Sequence, residues 1–308
     1  MTTLTPMAGK PAAKGGKPES RRTKAKKRLT SRTASVIALI IAILWTTPTF
    51  GLLLSSFRPA EDIKTSGWWT FFANPSFTFD NYAEVLLSDS SAGRLGSYFI
   101  NSLVITIPSV LFPVAFAAFA AYALSWIRFK GRDTLFIGIF ALQVVPLQMA
   151  LVPLLSFFSS NFALEDEGKF IQIWFAHTCF ALPFAVFLLH NFMSELPGDV
   201  IEAARVDGAN HGTIFRKVVL PLITPALASL TIFQFLWVWN DLLVALVFGS
   251  GQDTSPMTVR LAELAGSRGE EWQRLTAGAF ISIVVPLIVF LSLQRYFVRG
   301  LLAGSVKG

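Results

Sequence analysis

The sequence predicts an all-α, polytopic membrane protein with six transmembrane helices. Three observations carry that prediction. Hydrophobic residues make up 53% of the 308 residues and charged residues only 15%, against about 25% charged in an average soluble domain. Mean hydropathy is +0.56. The apolar residues gather into runs of about 20, the length a helix needs to cross a bilayer. These runs do not alternate with period two, which argues against the strands of an outer-membrane barrel.

Residues 1–33 carry ten Lys/Arg among Ala, Gly, Ser, Thr and Pro, with few bulky apolar side chains. Such a composition predicts a disordered basic tail. The apolar run at 34–56 is too long for a signal-peptide core, and no small-residue cleavage site follows it. It is therefore expected to remain as the first span, opening a transmembrane domain over 34–308. Further spans are expected at about 98–125, 134–158, 170–192, 221–248 and 276–296. The tail and the segments near 126–133, 193–220 and 295–308 hold 19 Lys/Arg, against 7 in the alternate segments. The positive-inside rule then puts both termini in the cytoplasm, with the tail supplying most of the bias. A tail of this kind orients the first helix and touches anionic lipid, so the net charge of +7 does not call for nucleic acid.

The longest external segment, 57–97, contains Trp68, Trp69, Phe71 and Phe72. These suit an interfacial aromatic belt, either as a membrane anchor or as a partner contact. In the second span Ser102, Thr106 and Ser109 form a polar stripe, and the alanines from Ala115 to Ala123 suit close helix packing. Pro146, Pro153, Pro183, Pro221, Pro225 and Pro286 lie in or beside spans, where proline kinks a helix and frees a carbonyl. Cys179 stands alone, and His177, His190 and His211 have no metal-site spacing, so they are read as packed or interfacial residues. No phosphate-binding glycine loop and no nucleophile with a base at useful spacing occur, so the chain is expected to be neither an ATPase nor an enzyme, and no cofactor is expected on it.

Two constellations stand out. The first is the polar interval at about 193–221, which contains Glu202-Ala203-Ala204-Arg205-Val206-Asp207-Gly208 and then Val218-Val219-Leu220-Pro221. Asp199 and Glu202 have capping-box spacing. Val200, Ala203, Ala204 and Asp207 are expected to share a face that a partner backbone can approach closely. Gly208 suits the left-handed end of that helix. Asn210 is expected to cap a second short helix that Pro221 perturbs. The second constellation is in the fifth span, where Gln234, Trp237 and Asp241 recur at i, i+3 and i+7 with Asn240 beside them. Polar groups inside a span face a bundle interior or a watered cavity. This stripe either lines a path or gate, or forms helix-packing hydrogen bonds.

The Glu202–Pro221 pattern resembles the EAA loop of permease subunits in bacterial ABC importers, with Val218 where the family usually has isoleucine. From the first span onward the chain is similar to carbohydrate permeases related to the second permease of the maltose importer. Arg58-Pro59 with Asp62-Ile63, Trp239-Asn240-Asp241, and the ending from Gln294 to Gly308 carry that likeness. Arg260-Leu261-Ala262-Glu263-Leu264 with Gly269-Glu270-Glu271-Trp272, together with that ending, look most like permeases for α-glucosides or other glucosyl oligosaccharides. The resemblance implies the type I importer fold in the bacterial inner membrane. It also implies a heterodimer with a second permease, two ATPase subunits that use ATP and Mg, and an extracytoplasmic sugar-binding protein. Glu202, Ala203, Ala204, Asp207, Gly208, Leu220 and Pro221 would then dock an ATPase, and the external segment near 249–274 would enter the binding protein. A stand-alone secondary transporter is the competing expectation, but it needs its own coupling-ion site, and Asp241 is the one clear intramembrane carboxylate.

Overall fold

A computed structural model describes residues 32–87, 95–162, 166–249, 253–266 and 270–305. The basic tail therefore lies outside the described residues, save its last two, which begin the first helix, and Gly269 and the last three residues also lie outside them. Every regular element among the described residues is helical. Helix α1 spans Arg32–Ser56 and contains Pro48. The chain divides into two compact units at Gly51, inside this helix.

The unit from Leu52 onward begins with a cap of short helices. It comprises α2 (Ala60–Thr65), a 3-10 turn at Trp68–Phe72 and α3 (Asp80–Leu87). Arg58 is buried and organises this cap. Its guanidinium donates to the Asp62 carbonyl, the Ser66 hydroxyl and Thr70 Oγ1 at 3.1, 2.7 and 3.1 Å. The Asn81 amide donates to the carbonyls of Ser56 and Arg58. The Arg58–Asp62 spacing is thus an internal tie.

The core helices are α4 (Leu95–Trp126) and α7 (Asp166–Ser194), which form the most extensive helix pair. Ala117, Ala118 and Ala121 are buried and pack with Ala185, Val186 and Leu189. Small side chains let two helices approach without a hydrophobic drive. Between α4 and α7 lie α5 (Arg132–Ala141), a 3-10 turn at Leu142–Val144 and α6 (Leu147–Asn161). These form the expected third span, but it is bent by 99°. The cause is Pro146, because the residue before a proline is pushed out of the helical region. Val145 accordingly has ψ 119° and Pro146 ψ 130°.

After α7 come α8 (Gly198–Val206), α9 (His211–Ile214), a π-helical turn at Phe215–Val219 and α10 (Leu220–Leu222). Then follow α11 (Thr224–Trp239), α12 (Leu243–Phe248), α13 (Met257–Ala265) and α14 (Trp272–Ser305). The fifth span is bent by 74° between Leu222 and Thr224. It also stops at Trp239 and restarts at Leu243, so 221–248 is not one helix. Pro221 is absorbed at the start of α10, and the bend comes two residues later, ahead of Pro225. Four single helices, with two bent pairs counted as one span each, supply up to six candidate spans among the described residues.

The proline positions explain the inter-helix bonds. A proline has no N–H, so the carbonyl four residues earlier loses its helical partner. Pro108 frees the Val104 carbonyl, which accepts from Trp174 Nε1 at 2.9 Å. Pro113 frees the Ser109 carbonyl, which accepts from Gln234 Nε2 at 3.1 Å. Pro286 frees the Ser282 carbonyl, which accepts from Trp239 Nε1 at 3.0 Å. Helices α7 and α11 thus fill gaps in the ladders of α4 and α14. The expected polar stripe of α4 is buried at Ser102, Thr106 and Ser109.

Gln234→Leu should strand the buried Ser109 carbonyl and destabilise the purified membrane complex by about 1–3 kcal/mol. Adding Pro113→Ala returns a helical N–H to that carbonyl and should recover part of the loss. Thermal unfolding in detergent measures both. Equal losses in the single and double variants would show that this bond is not what Gln234 supplies.

Candidate coupling loop and intramembrane polar site

The first site is built from α8 outward. Helix α8 is preceded by Pro197, with no side-chain cap. The expected capping box is therefore absent. Asp199 is already inside the first turn, where its charge still complements the helix dipole. The other end matches expectation. Gly208 has φ +79°, its N–H donates to the Arg205 carbonyl, and the Ala209 N–H donates to the Ala204 carbonyl, both at 3.0 Å. These two bonds are the Schellman pair, which places a left-handed glycine after the last helical residues. A Cβ on Gly208 would meet nothing within 4 Å, so the positive φ is the local reason for glycine. Asn210 caps α9, its Oδ1 accepting from the Thr213 N–H at 2.9 Å.

Helix α8 has one inward edge. Ile201 is 1% exposed and joins the buried cluster that contains Leu189, Met193, Ile214, Phe215 and Val219. Ala204, expected on the outward face, is partly buried against that cluster instead. Glu202, Ala203, Val206, Asp207 and Gly208 are exposed, and Val206 is 87% so. Leu220 packs on the same cluster and is partly buried, whereas Pro221 is exposed. Arg205 donates to the Trp126 carbonyl at the end of α4 at 3.1 Å. A cation suits that negative end of a helix dipole. Tyr122 and His211 Nδ1 lie 3.0 Å apart, and Tyr122 packs edge-on to Phe215. The loop is thus fixed to α4, α7 and α11 by one shared apolar cluster, while a mixed polar and aliphatic face remains open.

The second site is where α11 ends. The expected stripe does not persist as one helical face, because the helix breaks at Asn240–Leu242. Gln234 is buried and bonded to α4. Trp237 is 38% exposed. Asn240 is exposed and donates to the Leu236 carbonyl within its own helix. Asp241 accepts from the Ala245 N–H at 3.1 Å, satisfying an otherwise orphan donor at the start of α12. Of the two expectations for His177, packed or interfacial, the structure shows the packed one: it is buried. Its Nε2 lies 3.8 Å from Asp241 Oδ2, and its ring meets Trp237 edge-on at 5.7 Å. No sequence spacing links His177 to α11, so this neighbourhood was invisible before the fold.

The Asp241 backbone also ties this break to the segment that follows. Its carbonyl accepts from Thr258 Oγ1 at 2.7 Å. The same segment is held on α4, where Asn101 Nδ2 donates to the Asp253 and Ser255 carbonyls and Ser102 Oγ accepts from the Met257 N–H. Among the described residues no group of three His, Cys, Asp or Glu side chains could hold a metal.

Comparison with known proteins gives this arrangement a context. Residues 113–302 match the model of the family described as "Binding-protein-dependent transport system inner membrane component". The chain is 51% identical over 277 residues to the "Osmoprotective compounds uptake permease protein GgtD" of Synechocystis sp. (strain ATCC 27184 / PCC 6803 / Kazusa), covering 88% of this chain and 91% of that one. It is 53% identical over 262 residues to the "Alpha-glucoside transport system permease protein AglG" of Rhizobium meliloti (strain 1021), covering 82% and 68%. Its fold is similar to a chain of a bacterial ABC transporter involved in the import of alginate, with TM-score 0.66, 23% identity, and coverage of 92% and 100%. The family match spans both the Gly208 loop and the α11 break: the chain belongs to the inner-membrane permease components of binding-protein-dependent ABC transport systems.

Proposed function

We propose that this chain is one permease of a heterodimeric sugar importer whose substrates are α-glucosides, and that the open face of α8 receives an external ATPase. The observation that carries the substrate class is the 53% identity to an α-glucoside permease over most of the chain. The 51% identity to a permease for osmoprotective compounds is compatible with small glucosyl solutes that also serve as osmolytes. A second fold relative was solved in complex with a sugar-bound periplasmic protein, which supports an extracytoplasmic binding protein as partner. ATP and Mg are used by the ATPase subunits, and this chain binds neither. The Lys/Arg bias supports a cytoplasmic position for both termini and for the Gly208 loop.

The geometry supplies a route for mechanical work. A push on Val200, Ala203 or Val206 is delivered through Ile201 into the cluster that includes α4 and α7 side chains. Packed interiors resist compression and transmit displacement. The 74° bend before α11 and the stop at Trp239 leave this span in short rigid pieces, which suits movement by reorientation of whole segments.

Deleting this subunit should abolish binding-protein-dependent uptake of at least one labelled sugar among trehalose, maltose and sucrose. Unchanged uptake of all three, with loss of another solute, would refute the α-glucoside reading.

Two substitutions test the docking face. Ala203→Asp adds a charge to the open face without disturbing the buried edge. Gly208→Val forces a β-branched residue into a left-handed conformation, costing roughly 1–2 kcal/mol. Each variant should remain in the membrane while uptake and ATPase retention fall. Normal uptake with normal ATPase retention in both would remove α8 from the coupling route.

A further inference from the structure

The break in the third span and the exposed ring of Trp237 bound the same cavity. Its volume is about 460 Å³, and its walls include Leu142, Gln143, Pro146, Cys179, Phe180 and Trp237. Small-molecule sites occupy about 300–1,000 Å³. Three features specify the chemistry of an occupant. Trp237 is fixed edge-on against buried His177, yet stays 38% exposed. A held indole offers a flat apolar face with a polar tip, which complements a pyranose ring carrying C–H groups on its face and hydroxyls on its rim. Gln143 is exposed, and its amide carries two donors and an acceptor, the set that reads hydroxyl groups. Finally, the 99° break interrupts a helix pair that is long and apolar enough to be one candidate span or a re-entrant segment. Irregular backbone at membrane depth is tolerated where it is buried in protein or lines a water-filled cavity, and transporters build substrate sites at such discontinuities. A lipid chain would match the apolar wall but would leave the Gln143 amide unused.

We propose that this cavity is a glycosyl subsite of the translocation path, in which the Trp237 indole stacks on a pyranose ring and the Gln143 amide bonds its hydroxyls. The proposal deepens the sugar-permease reading and rests on it. It assigns sugar contact to this subunit and brings the third span into the path.

The test uses a reporter already in the wall. Cys179 is the only cysteine of the chain and is exposed. The complete complex, with both permeases, the ATPases and the binding protein, is reconstituted in proteoliposomes and trapped with ATP and vanadate. N-ethylmaleimide labelling of Cys179 is then followed by mass spectrometry of its peptide, with and without the α-glucoside that the same vesicles transport. Bound sugar should slow labelling several-fold. Trp237→Ala and Gln143→Ala should each weaken that protection and raise the apparent KM for uptake, while Trp237→Phe keeps most of it. The affinity of the isolated binding protein for the sugar should not change. Equal labelling with and without a sugar that is demonstrably transported would overturn the subsite and leave the permease reading intact. So would a Cys179 that never reacts, since the cavity would then be filled by lipid or by the other permease. Vesicles that transport no sugar at all would instead refute the permease reading and take the subsite with it.

Discussion

A backbone carbonyl without a partner in hydrocarbon costs several kcal/mol, because no water is present to replace the lost bond. Pro108, Pro113 and Pro286 each create such a carbonyl. The donors that answer them come from other helices: Trp174 on α7, and Gln234 and Trp239 on α11. Each bond fixes one helix against another at a defined depth, which apolar contact in lipid does less sharply, since lipid tails are as apolar as leucine. Helices α4, α7, α11 and α14 are held in register this way, and the functional features sit on that frame. The loop after α7 closes one end, the break after Trp239 lies beyond two of the donors, and Trp174 lies five residues before Cys179 of the cavity wall.

The frame also separates the bonded positions of the fifth span from the open one. Gln234 and Trp239 are committed to α4 and α14, whereas Trp237, on another side of the same helix, is partly open. Past Trp239 the chain is held by a different set of contacts. Asp241 caps α12 through Ala245, and its carbonyl receives Thr258 from the segment after that helix. Asn101 and Ser102 tie the same segment to the start of α4. At the opposite end, the apolar cluster around Ile201 joins α8 to α4 and α7, and Arg205 adds a bond to the Trp126 carbonyl.

Much of this was legible in the sequence, and the failures have identifiable causes. Spans could be placed because hydrocarbon thickness imposes length and apolarity on each helix separately. Gly208 and Asn210 could be placed because helix ends have local chemistry that a few residues determine. The capping box at Asp199 was misjudged because Pro197 starts the helix earlier, and no propensity scale weighs one local start against another. Ala204 was set on the outward face by counting residues, but which edge of α8 is buried depends on the cluster beneath it. The third span read as one helix because apolar composition continues across Pro146, and nothing local distinguishes a mild kink from a 99° bend. The fifth-span stripe is legible as a set, with a path or gate and helix packing as alternatives for the set as a whole. Gln234 serves packing, Asp241 serves a helix start, and Trp237 faces a cavity, a division that only the positions of α4 and α7 determine. His177 beside Asp241, and the three donors to proline-freed carbonyls, depend on contacts far apart in the chain.

The central claim is that α8 presents one face to an ATPase while its other face is buried in this chain. Cysteine cross-linking tests it directly, using Ala203→Cys and Ile201→Cys, each paired with cysteines around the permease-facing cleft of the ATPase, in complexes that still hydrolyse ATP. The account predicts efficient cross-linking from position 203 and little from position 201, where the side chain is 1% exposed. Comparable cross-linking from both positions, or none from position 203 in an assembled and active complex, would contradict it.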